Sequence, residues 1–305
     1  MNLERSSAQI GLLALAVSAG NAHLRRGEEL RRRASSPMVR QVNDGEGGSV
    51  ECSASVSPDP ERPVVVFETG LGGSVDGWDW FQQSLSEDLT LLRYYRRGHG
   101  RTRSRLRPGA LVLRILDELD LSSRSIHFVG HSLGGLIIAN SLWEFPALAD
   151  RVSSVTLIDS TDAELLGKER AEASEVRRFR QYCFQEGLAS VTGLNRWTGS
   201  PVEMEVNLRA TAQKAFMTES SRPRTLMVAV REHTHEPLVG QVHLASLPIV
   251  KSVLAASDNV IQQRRLADKL SAEFVVIPDS SHRSVIGRYS SAMTVAKHIR
   301  EVVSR

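Results

Sequence analysis

The stretch "SIHFVGHSLGGLIIANSLWEFP", Ser125 to Pro146, constrains the fold more than any other part of the chain. A short run rich in β-branched and aromatic residues meets an apolar run of helical length. Only "GHSLGG" lies between them, so a strand must pass into a helix through one sharp turn. Gly130 and Gly134 flank Ser132 in a G-x-S-x-G pattern. At such a turn the central residue takes a strained backbone conformation and its side chain is lifted above the sheet. Glycine on either side avoids a collision between a Cβ and neighbouring backbone. The helix that starts immediately afterwards points its unpaired N–H groups and positive dipole end at the same place.

Further runs of the same kind follow a strand rhythm. They are "RPVVVFETG" (Arg62 to Gly70), "LTLLRYY" (Leu89 to Tyr95), "VSSVTLID" (Val152 to Asp159), "LPIVKSVLAASDN" (Leu247 to Asn259) and "AEFVVIPDSSH" (Ala272 to His282). Near-continuous apolar strands are those buried on both faces, as in a parallel sheet. Helical patterns separate them, notably "GALVLRILDELD" and a closing helix near "SSAMTVAKHIREVV". This alternation predicts an α/β domain with a doubly wound, mostly parallel sheet. The rhythm lapses after Asp159, where residues 161–245 are mostly charged helix with an apolar run at Leu226 to Val230. The expected organisation is an N-terminal helix or arm with an edge strand over 1–60, a core formed by 61–160 and 246–305, and an inserted helical cap over 161–245.

Composition sets outer limits. The 305 residues are 41% hydrophobic and 24% charged with a net charge of +3, ordinary values for a globular chain and no argument for nucleic acid. Cys52 and Cys183 are far apart and lack CxxC partners, so no metal site is expected. The apolar segment "IGLLALAVSAG", Ile10 to Gly20, is too short to span a bilayer. It makes a weak signal peptide, because Glu4 offsets Arg5 and "GNA" is a poor cleavage site. No cleavage and a cytoplasmic location are expected, with secretion or membrane association as the alternatives. Arg25, Arg26, Arg31, Arg32, Arg33 and Arg40 form the densest basic stretch, which leaves open a weak contact between the N-terminal segment and a membrane surface. Oligomeric state has no sequence signature here.

A serine in such a turn gains nucleophilic power from a base, and the base from an orienting carboxylate. His282 follows the last strand and is the candidate base. The other histidines have milder assignments: His131 packs or hydrogen-bonds locally, His99 lies in a turn, and "HTHE" (His233 to Glu236) has no third metal ligand at sensible spacing. The carboxylate should lie between Ser132 and His282 in the chain. Asp258, just past an apolar run and about two dozen residues before His282, is the first candidate; Asp159, Asp162, Glu232 and Glu236 are rivals. Oxyanion donors are expected from the backbone N–H groups of Leu133 and of Leu71, the latter in the glycine-rich "ETGLGG".

From "VVVFETGLGG" through "YYRRGHGRTRS", "FVGHSLGG", "VLAASD" and "VVIPDSSH", residues 62–305 resemble the α/β-hydrolase fold superfamily, specifically its serine esterase and lipase-like members with a helical cap. The resemblance implies nucleophile Ser132, base His282, acid Asp258 and no cofactor. Two departures stand out: Thr69-Gly70 replaces the His-Gly of many relatives, and Tyr95 replaces the aspartate that usually precedes the R-x-G-x-G turn. The implied activity is hydrolysis of a carboxylic ester, lactone or thioester of a small, largely apolar substrate. The alternatives are a ligand-binding or receptor protein of the same fold with little turnover, and a C–C or amide bond hydrolase. Gly70, His131, Trp78, Tyr95, Phe179 and Trp197 are the candidate substrate contacts.

Overall fold

The computed structural model describes residues 2–34, 39–194 and 205–305. Eight strands form one sheet: β1 (Val39–Asn43), β2 (Ser49–Ser55), β3 (Val64–Glu68), β4 (Thr90–Tyr94), β5 (Ile126–His131), β6 (Val152–Ile158), β7 (Val250–Ala256) and β8 (Glu273–Ile277). Their spatial order is β1-β2-β4-β3-β5-β6-β7-β8. β1 and β2 form an antiparallel pair, and β2 is antiparallel to β4. All remaining pairs are parallel. The sheet is thus mostly parallel and doubly wound. β2 forms where "GSVECSASVS" suggested an edge strand, but β1 pairs along its outer side and takes the edge instead; β1 and the short helix at 79–85 had no strong pattern of their own.

The two side-chain faces of the strands explain their continuous apolar runs. Val64, Val66, Phe128 and Leu157 look to one side, where they bury helices α3 (Pro108–Glu118) and α4 (Leu133–Glu144) through Leu111, Ile115, Ile138 and Leu142. Val65, Phe67, Val129 and Leu254 look to the other side. There they meet α2 (Asp79–Leu85) and the C-terminal helix Tyr289–Val303 through Phe81, Leu85, Val295 and Ile299. Because successive side chains along a strand alternate faces, a strand covered on both faces is apolar at most positions. Polar residues buried within the strands find partners there, as His127 does in Ser154 (2.7 Å) and Arg93 in Ser53 (2.9 Å).

Between β6 and β7 the described chain is helical: α5 (Ala163–Ala171), α6 (Ala173–Thr192), α7 (Ala210–Ser220), α8 (Pro223–His235) and α9 (Gly240–Ser246). The apolar run Leu226 to Val230 lies inside α8. At the N-terminus, α1 (Asn2–Ala34) fastens its second half to these helices. Asn21 Nδ2 and Arg25 donate to the Ser190 carbonyl at the end of α6, and Arg222 pairs with Glu29.

One buried cation ties α8 to the sheet. Arg96, just beyond β4, is 3% exposed and donates to Glu68 Oε1 (2.5 Å), to the Thr69 carbonyl (2.7 Å) and to the Gly70 carbonyl (3.1 Å). Its other edge grips Glu232 of α8 with two hydrogen bonds of 2.9 Å. Tyr94 completes the shell by donating to Glu68. Burial works to raise the Glu232 pKa, but the charges of Arg96 and His99 overcome it and hold it at about 2. A folded-state pKa below the unfolded value contributes stability at neutral pH, and that contribution is lost as pH falls from about 4.5 towards 2. Glu232→Gln will therefore be less stable than the native protein at pH 7. Its stability will also decline less between pH 5 and 2, as read by urea unfolding at a series of pH values.

Candidate active site

Ser132 sits where β5 gives way to α4, at φ 55° and ψ −127°. Such a conformation is costly for a residue with a Cβ and persists only when its surroundings fix it. Here they do: the Ser132 N–H donates to the Ile158 carbonyl (3.0 Å), and the Ser132 carbonyl accepts from the Thr161 N–H (3.0 Å). The flanking glycines are required by contact. A Cβ on Gly130 would lie 2.8 Å from the Gly135 nitrogen, and one on Gly134 2.4 Å from the Glu68 carbonyl oxygen.

The hydroxyl of Ser132 lies 3.0 Å from His282 Nε2, and His282 Nδ1 donates to Asp159 Oδ2 at 2.5 Å. His282 is reached by the loop leaving β8, as expected. The carboxylate is Asp159, one of the rivals named above, and not Asp258. The reason is lateral. β6 lies beside β5 in the sheet, so the residue that ends it stands next to Ser132; β7 lies one strand further away. Asp258 occupies the exposed turn after β7. That turn supplies donors instead: the Ala256 N–H (3.1 Å) and Asn259 Nδ2 (3.2 Å) bind Asp159 Oδ1. Asp159 is 1% exposed at φ 44°. Burial favours its neutral form, but hydrogen bonding and charge interaction with His282, aided by the Ala256 amide, hold its pKa below the usual carboxylate range. Gln263 clamps the following residue, accepting from the Ser160 N–H (2.9 Å) and donating to the Ser160 carbonyl (2.8 Å). No sequence signal marked Gln263 or Asn259.

His131 is buried, and its Nε2–H donates to the His282 carbonyl at 2.7 Å. Burial and the neighbouring His282 push its pKa down to about 3, which keeps it neutral. It fixes the backbone of the histidine that Ser132 touches.

A cavity of about 320 Å³ opens over Ser132 and His282. Its walls are mainly apolar and aromatic: Trp78, Phe179, Tyr182, Phe216, Leu226 and Ile286. Gly70, His131, Trp78 and Phe179 therefore lie where substrate contacts were expected. Tyr95 does not line the cavity. It is buried, and its hydroxyl lies 2.9 Å from the Ser74 hydroxyl, which does line it; the site of the usual aspartate is thus taken by a side chain that supports the wall from behind. Trp197 lies outside the described residues. The Gly70 backbone presses against the serine: a Cβ there would lie 3.0 Å from Ser132 Cβ. Leu71 packs on the cluster of Leu133, Leu136 and Ile137. Arg96 restrains the same loop by donating to the Thr69 and Gly70 carbonyls. Among the described residues, no group of three or more His, Cys, Asp or Glu side chains could hold a metal ion.

Comparison with known proteins agrees with this architecture. The chain resembles the putative carbamate hydrolase RutD of Agrobacterium fabrum at 33% identity over 111 residues, 34% of this chain and 42% of that protein. It resembles RutD of Pseudomonas syringae pv. syringae at 37% identity over 84 residues, 25% of this chain and 32% of that protein. The chain thus spans less than half the length of these curated relatives. Among solved structures, the enol-lactonase from Burkholderia xenovorans LB400 superposes with a TM-score of 0.60 at 19% identity, covering 85% of this chain and 98% of that one. A thermophilic esterase from Thermogutta terrifontis gives 0.61 at 17% identity, covering 86% and 97%. At these identities the likeness is one of fold. The model of the alpha/beta hydrolase family matches residues 65–292, about three quarters of the sequence, and the chain belongs to that family.

Proposed function

We propose that the protein is a serine hydrolase that cleaves a carboxylic ester, lactone or thioester of a small, largely apolar substrate. The observation that carries this reading is the hydrogen-bonded series Ser132, His282 and Asp159 at the floor of an apolar cavity. His282 Nε2 accepts the Ser132 proton as Oγ attacks the substrate carbonyl carbon. Asp159 stabilises the imidazolium that results. The backbone N–H groups of Leu71 and Leu133 stabilise the negative oxygen of the tetrahedral intermediate. Collapse expels the leaving group, which takes the proton from His282 and leaves an acyl ester on Ser132. Water then attacks that ester, giving its proton to His282; the acid departs and Ser132 regains its proton. The helices between β6 and β7 act as the cap, with Phe179 and Phe216 contacting the acyl or ring portion.

The names of the relatives point to carbamate, lactone and ester bonds, all of which pass through an oxyanion of the same geometry. Turnover on a panel of p-nitrophenyl esters of graded chain length, beside lactones, thioesters and a carbamate, separates them. Ser132→Ala will lower kcat at least a thousandfold and abolish labelling by a fluorophosphonate while leaving the melting temperature unchanged. Activity retained in that variant refutes the mechanism. Replacing the two candidate acids separates them in the same assay. Asp159→Asn will cost a thousandfold or more in kcat, because the neutral amide no longer stabilises the imidazolium. Asp258→Asn will stay within about twofold of the native rate, since Asp258 is an exposed turn residue and the carboxylate bonded to His282 is Asp159.

A further inference from the structure

The first half of α1 presents a physical inconsistency for a chain surrounded by water on all sides. From Ile10 to Gly20 the only polar side chain is Ser18. Leu12, Leu13 and Leu15 are each about two-thirds exposed, and a Cβ added to Gly11 or Gly20 would meet nothing within 4 Å. At about 100° per residue these leucines stand on different sides of the helix. A groove on another protein covers one face of a helix; a segment that is apolar all round is matched by a medium that surrounds it. The segment is about 16 Å long, half the thickness of a bilayer's hydrocarbon core. No described helix is long and apolar enough to cross a membrane.

Two further observations point to the same medium. α1 is fastened to α6 at Ser190, and α6 carries its own exposed apolar stripe there: Phe184, Leu188 and Val191, at i, i+4 and i+7, are 73%, 57% and 43% exposed. The residues that follow the apolar segment, 21–33, contain five arginines and two glutamates, a balance that suits anionic headgroups at the edge of the apolar layer.

We propose that the apolar segment Ile10 to Gly20 of α1 lies in the outer layer of an anionic lipid bilayer, with Glu4 and Arg5 on one side of it and the arginines on the other kept among the headgroups, and that the α6 stripe rests on the same surface. The opposite side of α6 contributes Phe179, Tyr182 and Cys183 to the cavity over Ser132. Docking therefore brings the helix that walls the cavity against the lipid phase, from which an apolar substrate can partition.

Flotation of the purified full chain with vesicles of phosphatidylcholine and phosphatidylserine at 7:3 tests this. The native protein will float with the vesicles, and several-fold less with phosphatidylcholine alone. The triple variant Leu12→Glu/Leu13→Glu/Leu15→Glu will float at least tenfold less, and Phe184→Ser/Leu188→Ser will show a smaller loss. Unchanged melting temperatures in both variants will exclude unfolding as the cause. Three results overturn the proposal: native protein that floats with neither vesicle, equal flotation of native and triple variant, or a native dimer by sedimentation that the triple variant converts to monomer, which assigns the segment to a second copy of the chain. None of these outcomes bears on labelling of Ser132 by a fluorophosphonate, so the docking surface and the hydrolytic reading stand or fall separately.

Discussion

The site depends on the pairing of β5 with β6, continued beyond the ends of both strands. Ser132 donates to Ile158, and Thr161 donates back to Ser132. These bonds hold the serine in a backbone conformation that its Cβ disfavours, and they do so from the two sides of Asp159. The same ladder thus fixes Ser132 and the carboxylate that bonds His282. The end of β7 reaches the site by way of Asp159, through the amide of Ala256 and the side chain of Asn259, and by way of Ser257, which is bonded to Ser280 in the loop that carries His282.

A second constraint is electrostatic. Arg96 is enclosed with Glu68 on one edge and Glu232 on the other. A buried guanidinium without partners is strongly unfavourable, and a planar donor array with carboxylates and carbonyls at each edge satisfies it. The geometry has a mechanical side. The cation that binds Glu232 of α8 also binds the carbonyls of Thr69 and Gly70. Helix α8 faces the cavity through Leu226 and Ala229. Displacement of this helix would pull on the loop against which Ser132 rests.

The sheet and its flanking helices were legible because each core strand is mostly apolar and each is followed by turn residues. Ser132 and His282 were legible for a related reason: both lie at the carboxyl ends of such strands, one framed by glycines. The carboxylate was not. Asp159 and Asp258 each end a strand between Ser132 and His282 in the chain, and order along the chain cannot tell which strand is the lateral neighbour of β5. That information lies in the strand order of the sheet. β1 and α2 were missed because "VRQVN" and "DWFQQSL" are too short to show a period. Tyr95 was legible as a departure from the family pattern, but its place behind Ser74 rests on packing that no local motif encodes.

The exposure of the three side chains in the site is uneven. Asp159 is sealed, whereas the His282 imidazole is 46% exposed. The anion that steadies the ring is held away from bulk solvent and its field is little screened, while the ring itself meets water directly. Water thus reaches one member of the series without any opening of the fold, while the carboxylate behind it stays dry.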